Sequence, residues 1–127
     1  MHQAVFSASG PKPRGPYSPA VITEGTLVFV SAQGPFDPRT GEIVAPTFEE
    51  QAVQVFENVT ALLQAADATW QDVVKVQVFL ADFANFDVMN AVYAQYVSEP
   101  YPARTTVHSQ IGQALIAVDC IAALRRA

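Results

Sequence analysis

The chain has 127 residues, and half of them are apolar, which is enough to bury one hydrophobic core, so we expect residues 1–127 to form a single domain. A net charge of −5 repels a phosphate backbone over most of the surface, which disfavours nucleic acid as a partner. The lone Cys120 cannot form an intramolecular disulfide, and the sequence shows neither a signal-peptide pattern nor a membrane-length apolar run, so we expect a cytoplasmic protein with no membrane partner.

The N-terminal part of the chain is predicted to form an ordered loop followed by a β-hairpin. Residues 10–19 are the richest in Pro and Gly, which indicates a rigid loop that positions other groups. Residues 21–23 and 27–32 favour strands, and a short polar connection that contains Gly25 separates them. We therefore predict that these two segments pair as a hairpin. A further turn is predicted at residues 37–41.

Two helices are predicted, one on each side of a strand. Thr47 and Glu50 have the spacing of a capping box, which predicts that the first helix begins there. The apolar residues that follow recur at steps of three and four, as expected for a helix with one buried face. This stripe comprises Ala52, Val53, Phe56, Val59, Leu63 and Ala66. The second helix is predicted over residues 83–97, and Pro100 ends it.

Three further strands complete the predicted sheet. Between residues 73 and 80, valines and a leucine alternate with other side chains, which indicates a strand with one buried face. Pro102 favours an extended backbone before the β-branched run of residues 104–107, and residues 115–124 form the last strand. This order of elements predicts an α+β fold in which both helices pack on one face of the sheet.

The other face of this predicted sheet has no element left to cover it. We expect it to carry Phe79, Val118 and either Leu115 or Ile116. An apolar sheet face of this kind is usually buried by self-association. The pattern alone therefore predicts a homo-oligomer.

Arg104 and Asp119 are the charged residues whose positions most need an explanation. Arg104 stands between a proline-rich approach and a strand, where a guanidinium could hold a small carboxylate through two parallel hydrogen bonds. Asp119 interrupts an apolar strand, which is costly unless the carboxylate is paired or hydrogen-bonded. The structural alternative is an ordinary ion pair, between Asp119 and Arg104 or between Asp119 and Lys75. The functional alternative is a carboxylate that orients or deprotonates a water beside a substrate.

Other polar residues are weaker candidates. Tyr17 lies between Pro16 and Pro19, which could hold its phenol at the rim of a cleft, although packing of a surface aromatic is commoner. Ser31 could offer a hydroxyl at a strand end or could serve only a turn. Asn90 shares a helix side with aromatic residues, an improbable place for an amide that lacks partners.

Cysteine and histidine give no sign of a reactive or metal site. Nothing near Cys120 in the sequence would lower the pKa of its thiol, so we predict that it packs in the core. His2 lies at a terminus and His108 lies in a loop after a strand, too far apart in sequence to suggest a shared metal. We therefore predict no metal site.

Several motifs in a fixed order resemble those of one known family. They are Gly15-Pro16-Tyr17, Ser31-Ala32-Gln33, Asp37-Pro38, Thr40-Gly41, Asn90 with Tyr93, and Pro102-Ala103-Arg104-Thr105. From about residue 3 to residue 125 the chain resembles the RidA/YjgF family of enamine/imine deaminases, also known as the L-PSP endoribonuclease family. The resemblance implies a chorismate-mutase-like α+β fold, a homotrimer with sites in the clefts between subunits, and no cofactor.

The resemblance also implies an activity and a set of site residues. The activity is hydrolysis of reactive 2-enamino or 2-imino acids to 2-keto acids and ammonia. Arg104 and Asp119 are the implied catalytic residues. The implied substrate-binding residues are Tyr17, Ser31, Asn90, Arg104 and Thr106. Arg104 would grip the carboxylate, Tyr17 and Ser31 would line the pocket, and Asn90 would support it.

Two positions depart from the usual pattern of the family. Asp119 stands where the family usually has glutamate, and the shorter side chain could hold its carboxylate too far from the water. Thr106 stands where many members have cysteine, which alters the shape of the pocket. Three alternatives therefore stay open beside the deaminase: a regulatory trimer that binds small carboxylates without turnover, a pathway-specific deaminase for a larger acid, and a ribonuclease, which the charge disfavours.

Overall fold

The computed structural model describes residues 2–125, and its elements follow one another in a mixed α+β order. The strands are β1 (Gln3–Val5), β2 (Ala20–Ile22), β3 (Thr26–Gln33), β4 (Val73–Leu80), β5 (Ala103–His108) and β6 (Ile116–Leu124). The α-helices are α1 (Phe48–Ala65) and α2 (Phe86–Tyr93), and short 3-10 helices at Trp70–Asp72 and Phe83–Asn85 lead into β4 and α2. No helix in this part of the chain is both long and apolar enough to cross a membrane.

Four strands form one mixed sheet in the order β3-β6-β4-β5. β6 is antiparallel to both of its neighbours, whereas β4 and β5 run parallel with α2 as the crossover between them. β5 is therefore an edge strand. The predicted α+β fold with a mixed sheet is confirmed.

The predicted hairpin of β2 and β3 is wrong. β2 pairs with β1, and β3 pairs with β6. Gly25, which we assigned to the hairpin turn, has φ 128° and runs so close to β6 that an added Cβ would lie 2.3 Å from the carbonyl oxygen of Leu124. The chain can approach β6 there only because position 25 is glycine. The nine-residue β6 offers β3 a far longer partner than the three-residue β2 does.

The first helix begins where its capping residues predict, and the second is shorter than predicted. The Thr47 hydroxyl accepts a hydrogen bond from the Glu50 N–H at 3.2 Å, and it donates to Glu50 Oε1 at 2.8 Å. Only one arm of the predicted capping box is therefore present, because the carboxylate bonds the hydroxyl. Residues 83–85 form a 3-10 turn, which the Asp82 carboxylate caps by accepting from the Ala84 N–H at 2.9 Å, and α2 itself covers only Phe86–Tyr93.

Both helices pack on one face of the four-stranded sheet and share one core with it. Val76, Val78, Leu80, Val118 and Cys120 point into this core. The predicted core position of Cys120 is thus confirmed, and burial raises the pKa of its thiol to about 12. In α1 the predicted stripe is wrong at one place, since Val55 is buried and Val53 is 38% exposed.

The open face of the sheet differs in part from the prediction. Val118 pairs with Val78 and lies on the helix side, and Ile116 is fully buried there too. Because side chains alternate along a strand, the open face takes their neighbours in β6 instead. We use the term open face for Leu27, Phe29, Ser31, Lys75, Gln77, Phe79, Thr105, Val107, Ala117, Asp119 and Ile121. Phe29, on the edge strand β3, is 70% exposed, so the apolar part of this face is uncovered within the chain.

Candidate active site

The Arg104 side chain lies on the helix side of edge strand β5, inside a cage of aromatic rings. Its guanidinium carbon is 4.8 Å from the ring centre of Tyr17, 5.1 Å from that of Tyr93 and 5.7 Å from that of Phe86. Nη1 also lies 3.9 Å from the Met89 sulfur. Ring faces attract a cation, so this cage holds the positive charge without neutralising it.

No acid accompanies Arg104. Among residues 2–125 the one salt bridge joins Arg39 to Asp37, so the ion pair between Arg104 and Asp119 that we considered as an alternative is absent there. Burial lowers the pKa of Arg104, and the nearby hydroxyls of Tyr93 and Tyr17 partly oppose that shift. A desolvated guanidinium without a counter-ion keeps its fork of donors available for an anion.

Four buried polar atoms around Arg104 have no hydrogen-bond partner in the described part of the chain. They are Asn90 Oδ1, Tyr93 Oη, Arg104 Nε and Thr106 Oγ1. Buried polar groups in native proteins are nearly always paired, so such a cluster is typical of a place where a ligand or water completes the bonding. One further such atom in residues 2–125 is Thr23 Oγ1, in the connection after β2.

A cleft of about 350 Å³ opens above the guanidinium. Its lining residues are Arg14, Tyr17, Phe83, Phe86, Arg104 and Thr106. This volume lies within the usual range of small-molecule sites, and the mixture of an apolar wall with a few polar groups is also typical of them. The cleft can therefore accept a small organic anion whose charged end meets Arg104.

The loop of residues 10–19 is pinned to β5, and this contact places Tyr17 over Arg104. Ser18 is buried, its N–H donates to the Pro102 carbonyl at 2.8 Å, and its hydroxyl donates to the carbonyl of Tyr101. Ser18 also forms a parallel bridge with the first residue of β5. Residues 10–19 thus form the predicted loop, and Ser18 is a positioning residue that the sequence analysis did not identify.

Asn90 packs beneath the same loop. A Cβ added to Gly15 would lie 3.0 Å from Asn90 Oδ1, so only glycine lets the loop approach α2 this closely. Within the loop, the Tyr17 N–H donates to the Gly15 carbonyl at 2.8 Å. Asn90 thus supports the segment that carries Tyr17, on the same side of α2 as Phe86 and Tyr93.

Asp119 and Ser31 lie on the open face, away from this cleft. Asp119 pairs with Gln77 of β4, and the register shift between Val30 and Gln33 leaves Ser31 and Ala32 of β3 together against Asp119. Burial raises the pKa of Asp119, while the charge of Lys75 and the Gln77 N–H act in the other direction. Asp119 therefore sits in a partly desolvated setting without a full counter-charge.

Lys75 is not the ion-pair partner of Asp119 that we considered. The Lys75 ammonium donates to Thr105 Oγ1 at 2.9 Å, and no salt bridge to Asp119 occurs within residues 2–125. The attraction between the two charges is thus a longer-range effect. The polar residues of the open face are Ser31, Lys75, Gln77, Thr105 and Asp119.

One chain therefore brings together only part of the predicted site. Tyr17, Asn90, Arg104 and Thr106 converge on the cleft, whereas Ser31 and Asp119 lie on the opposite face of the sheet. The sequence analysis missed the other residues of the cleft. They are Arg14, Phe83 and Phe86. The spacing of three between the two phenylalanines was the one available signal that their rings lie side by side.

Among the described residues, no group of three His, Cys, Asp or Glu side chains could hold a metal ion. His2 is buried, and its Nε2 lies 2.8 Å from the Pro100 carbonyl oxygen. His108 Nε2 lies 3.0 Å from the carbonyl oxygen of Ala81. Both rings thus have structural hydrogen-bond partners.

Comparisons with known proteins agree with this architecture. A family model described as Endoribonuclease L-PSP matches residues 7–124. A RutC family protein of Pyrococcus horikoshii is 47% identical over 107 residues, which cover 84% of each chain. A 2-iminobutanoate/2-iminopropanoate deaminase of Dermatophagoides farinae is 40% identical over 97 residues, covering 76% of this chain and 75% of that protein.

Solved structures of relatives share the same fold. RidA from an Antarctic Psychrobacter species has a TM-score of 0.74 at 36% identity and covers 96% of this chain and 99% of its own. Escherichia coli TdcF with bound serine has a TM-score of 0.73 at 32% identity and covers 97% of this chain and 99% of its own. With its motifs, its fold and these matches in agreement, the chain belongs to the RidA/YjgF family.

Proposed function

We propose that this protein hydrolyses reactive 2-imino acids, and the 2-enamino acids that tautomerise to them, into 2-keto acids and ammonia. The observation that carries the proposal is Arg104, a half-buried guanidinium that has no acidic partner in residues 2–125 and faces a cleft of about 350 Å³. A 2-imino acid carries a carboxylate next to its reactive carbon, so a site that grips the carboxylate also fixes the position of that carbon. A relative named as an iminobutanoate/iminopropanoate deaminase supports this choice of substrate.

The reaction needs one water and one group that handles protons. Water adds to the imine carbon, a C–O bond forms, and the electrons of the C=N double bond move to the nitrogen, which takes a proton. The C–N bond of this intermediate then breaks, ammonia leaves, and loss of the hydroxyl proton forms the keto group. Asp119 is the proposed acceptor of the water proton, and its raised pKa makes it a stronger base than an ordinary aspartate.

Such a site requires more than one chain. Arg104 and Asp119 lie on opposite faces of the sheet, so one copy cannot bring both to the same substrate. A second copy that covers the open face would exclude water from Phe29 and could bring its own Arg104 cleft to Asp119. We therefore propose a homotrimer with the site in the cleft between subunits, where Ser31 would line the pocket opposite Tyr17.

A coupled assay tests the activity directly. An amino acid dehydratase acting on serine or threonine supplies the imine, and semicarbazide traps the imine that escapes hydrolysis. We expect the protein to reduce trapping and to speed keto-acid formation, and we expect Arg104→Ala to abolish both effects. No acceleration with any small 2-imino acid would refute the proposal.

Mixing two inactive variants tests the shared site. Arg104→Ala lacks the arginine of the proposed site and Asp119→Asn lacks its aspartate. Unfolding the two variants together and refolding the mixture would therefore rebuild wild-type sites at some subunit interfaces. For random assembly about a quarter of the sites should pair an intact arginine with an intact aspartate. Recovery of about that fraction of activity is expected, whereas no recovery from properly assembled mixtures would contradict a site between subunits.

A second function has one observation in its favour. Asp119 is one methylene shorter than the glutamate usual in the family, so the site could bind small carboxylates without turning them over. Calorimetry would then show binding of 2-keto acids by a protein that leaves imine decay unchanged. In that case we expect Asp119→Glu to confer imine hydrolysis. Rapid imine hydrolysis by the wild-type protein would exclude this alternative.

A further inference from the structure

Arg14 is a second cationic residue at the cleft, and nothing in the proposed reaction of a simple 2-imino acid requires it. It lies on the rim, on the same loop as Tyr17. We infer that Arg14 makes the cleft selective for acids with two carboxylates, so that Arg104 holds the carboxylate beside the imine carbon and Arg14 holds the distal one. This inference rests on the proposed function and names its substrate class, a 2-imino diacid.

The charge of the cleft favours a doubly negative ligand. Its six lining residues include two arginines and no acid, in a chain whose net charge is −5. The one salt bridge in residues 2–125 lies elsewhere, between Arg39 and Asp37, so neither Arg14 nor Arg104 has an acidic partner there. A positive cleft in an acidic protein focuses anions, and two separated guanidiniums match two separated carboxylates.

One hydrogen bond ties the backbone of Arg14 to the tyrosine that contacts Arg104. The Arg14 N–H donates to Tyr17 Oη at 3.0 Å, and the Tyr17 ring itself lies against the Arg104 guanidinium. Ser18 anchors the same loop to the residues before β5. These contacts fix the loop that carries Arg14 relative to Arg104. The side chain of Arg14 is exposed at the rim of the cleft, where it can contact a ligand.

The wall of the cleft suits the carbon chain between two carboxylates. Phe83 and Phe86 stack with their ring centres 5.2 Å apart and their planes at 18°, and both line the cleft. Methylene groups of a substrate can pack on these rings while both of its ends are charged. The volume of about 350 Å³ also exceeds the needs of a three-carbon acid.

Competition between a diacid and a monoacid tests the inference. An amino acid oxidase generates the imine of glutamate or that of 2-aminobutanoate in place, and semicarbazide trapping gives kcat/KM for each. We expect the wild-type protein to favour the diacid by about tenfold, the value of one charge-assisted contact, and Arg14→Gln to remove most of this preference. Arg14→Gln keeps the backbone N–H that bonds Tyr17, so the loop should keep its position.

Lys12→Gln is the matched control. Lys12 is exposed on the same loop and does not line the cleft, so its loss changes the net charge equally without removing a contact. We expect this variant to keep the diacid preference. An equal loss of the diacid preference in both variants would mean that the preference comes from general charge attraction and not from Arg14, which would overturn the inference. A wild-type preference for the monoacid would overturn it too.

A binding measurement distinguishes failure of this inference from failure of the proposed activity. Calorimetric titration with 2-oxoglutarate and 2-oxobutanoate measures the same preference without turnover. If neither imine is hydrolysed but the diacid binds about tenfold more tightly in an Arg14-dependent way, the activity fails and the inference stands. If the monoacid imine is hydrolysed and the diacid has no advantage in either assay, the inference fails and the activity stands. If neither keto acid binds, both fail.

Discussion

The Arg104 cleft and the open face around Asp119 lie on opposite sides of the same four strands, and each contains a charged side chain that burial makes costly. In the cleft, three aromatic rings surround the guanidinium, and its Nε has no hydrogen-bond partner among the described residues. On the open face, the carboxylate pairs with Gln77 and has Lys75 at longer range, and exposed apolar side chains lie elsewhere on the same face. The cleft is thus lined by residues of a single chain, whereas the open face is left uncovered by that chain.

The two regions also owe their geometry to different contacts. The cleft is built from a short loop that hydrogen bonds tie to β5 and from a helix that glycine allows to approach that loop. The open face follows from the long antiparallel pairing of β6 with its two neighbours. We therefore expect substitutions in the cleft to change binding and substitutions on the open face to change catalysis or assembly.

The largest expected effect is on turnover, in Asp119→Asn. The amide keeps the shape of the side chain but cannot accept the proton of the water, so kcat should fall by about a hundredfold or more. Calorimetry should show that 2-keto acids bind with nearly unchanged affinity, because Arg104 is untouched. A variant that loses affinity and keeps kcat would reverse the roles that we assign to the two regions.

The next effect is on binding, in Arg104→Lys. An ammonium keeps the charge but lacks the planar fork that bonds both carboxylate oxygens, so the Kd of a 2-keto acid should rise by about tenfold to a hundredfold. KM should rise with it and kcat should change less. Thermal unfolding is the control for misfolding, and an unchanged Kd in a folded variant would show that Arg104 does not hold the carboxylate.

A smaller effect is expected at Ser18, which braces the loop. Ser18→Ala removes the hydroxyl that donates to the Tyr101 carbonyl, which should lower the free energy of unfolding in urea by about 1 kcal/mol. Because Tyr17 then loses part of its support, KM should rise severalfold. Ser98→Ala, at an exposed serine, should change neither quantity. Equal effects in the two variants would contradict a positioning role for Ser18.

The smallest effect is a pH-dependent change in stability at Asp119. Its pKa is raised in the folded protein, so the folded state binds more protons than the unfolded state, and stability falls as the pH rises through this range. Asp119→Asn removes that cost and should raise Tm slightly at neutral pH. The gain should vanish at a pH below the ordinary aspartate pKa. A variant with a lower Tm at neutral pH would mean that the carboxylate stabilises the fold.

Many of the local features were predictable from the sequence because each depends on residues a few positions apart. The alternation in residues 73–80 predicted β4, and the spacing of Thr47 and Glu50 predicted the start of α1. Proline before Arg104 predicted the extended approach to β5. The motif order also predicted the family, since the same local signals occur together in its members.

Tertiary structure alone decided which strands pair and which face each side chain joins. β3 pairs with β6 and not with β2 because the nine-residue β6 offers a longer partner than the three-residue β2, and no local pattern encodes that choice. The register of β6 then sets Val118 in the core and Asp119 on the open face, and a shift of one residue would exchange them. The sequence by itself therefore determined the local elements, the candidate residues and the family, whereas the pairing of the sheet decided that Arg104 and Asp119 lie on opposite faces.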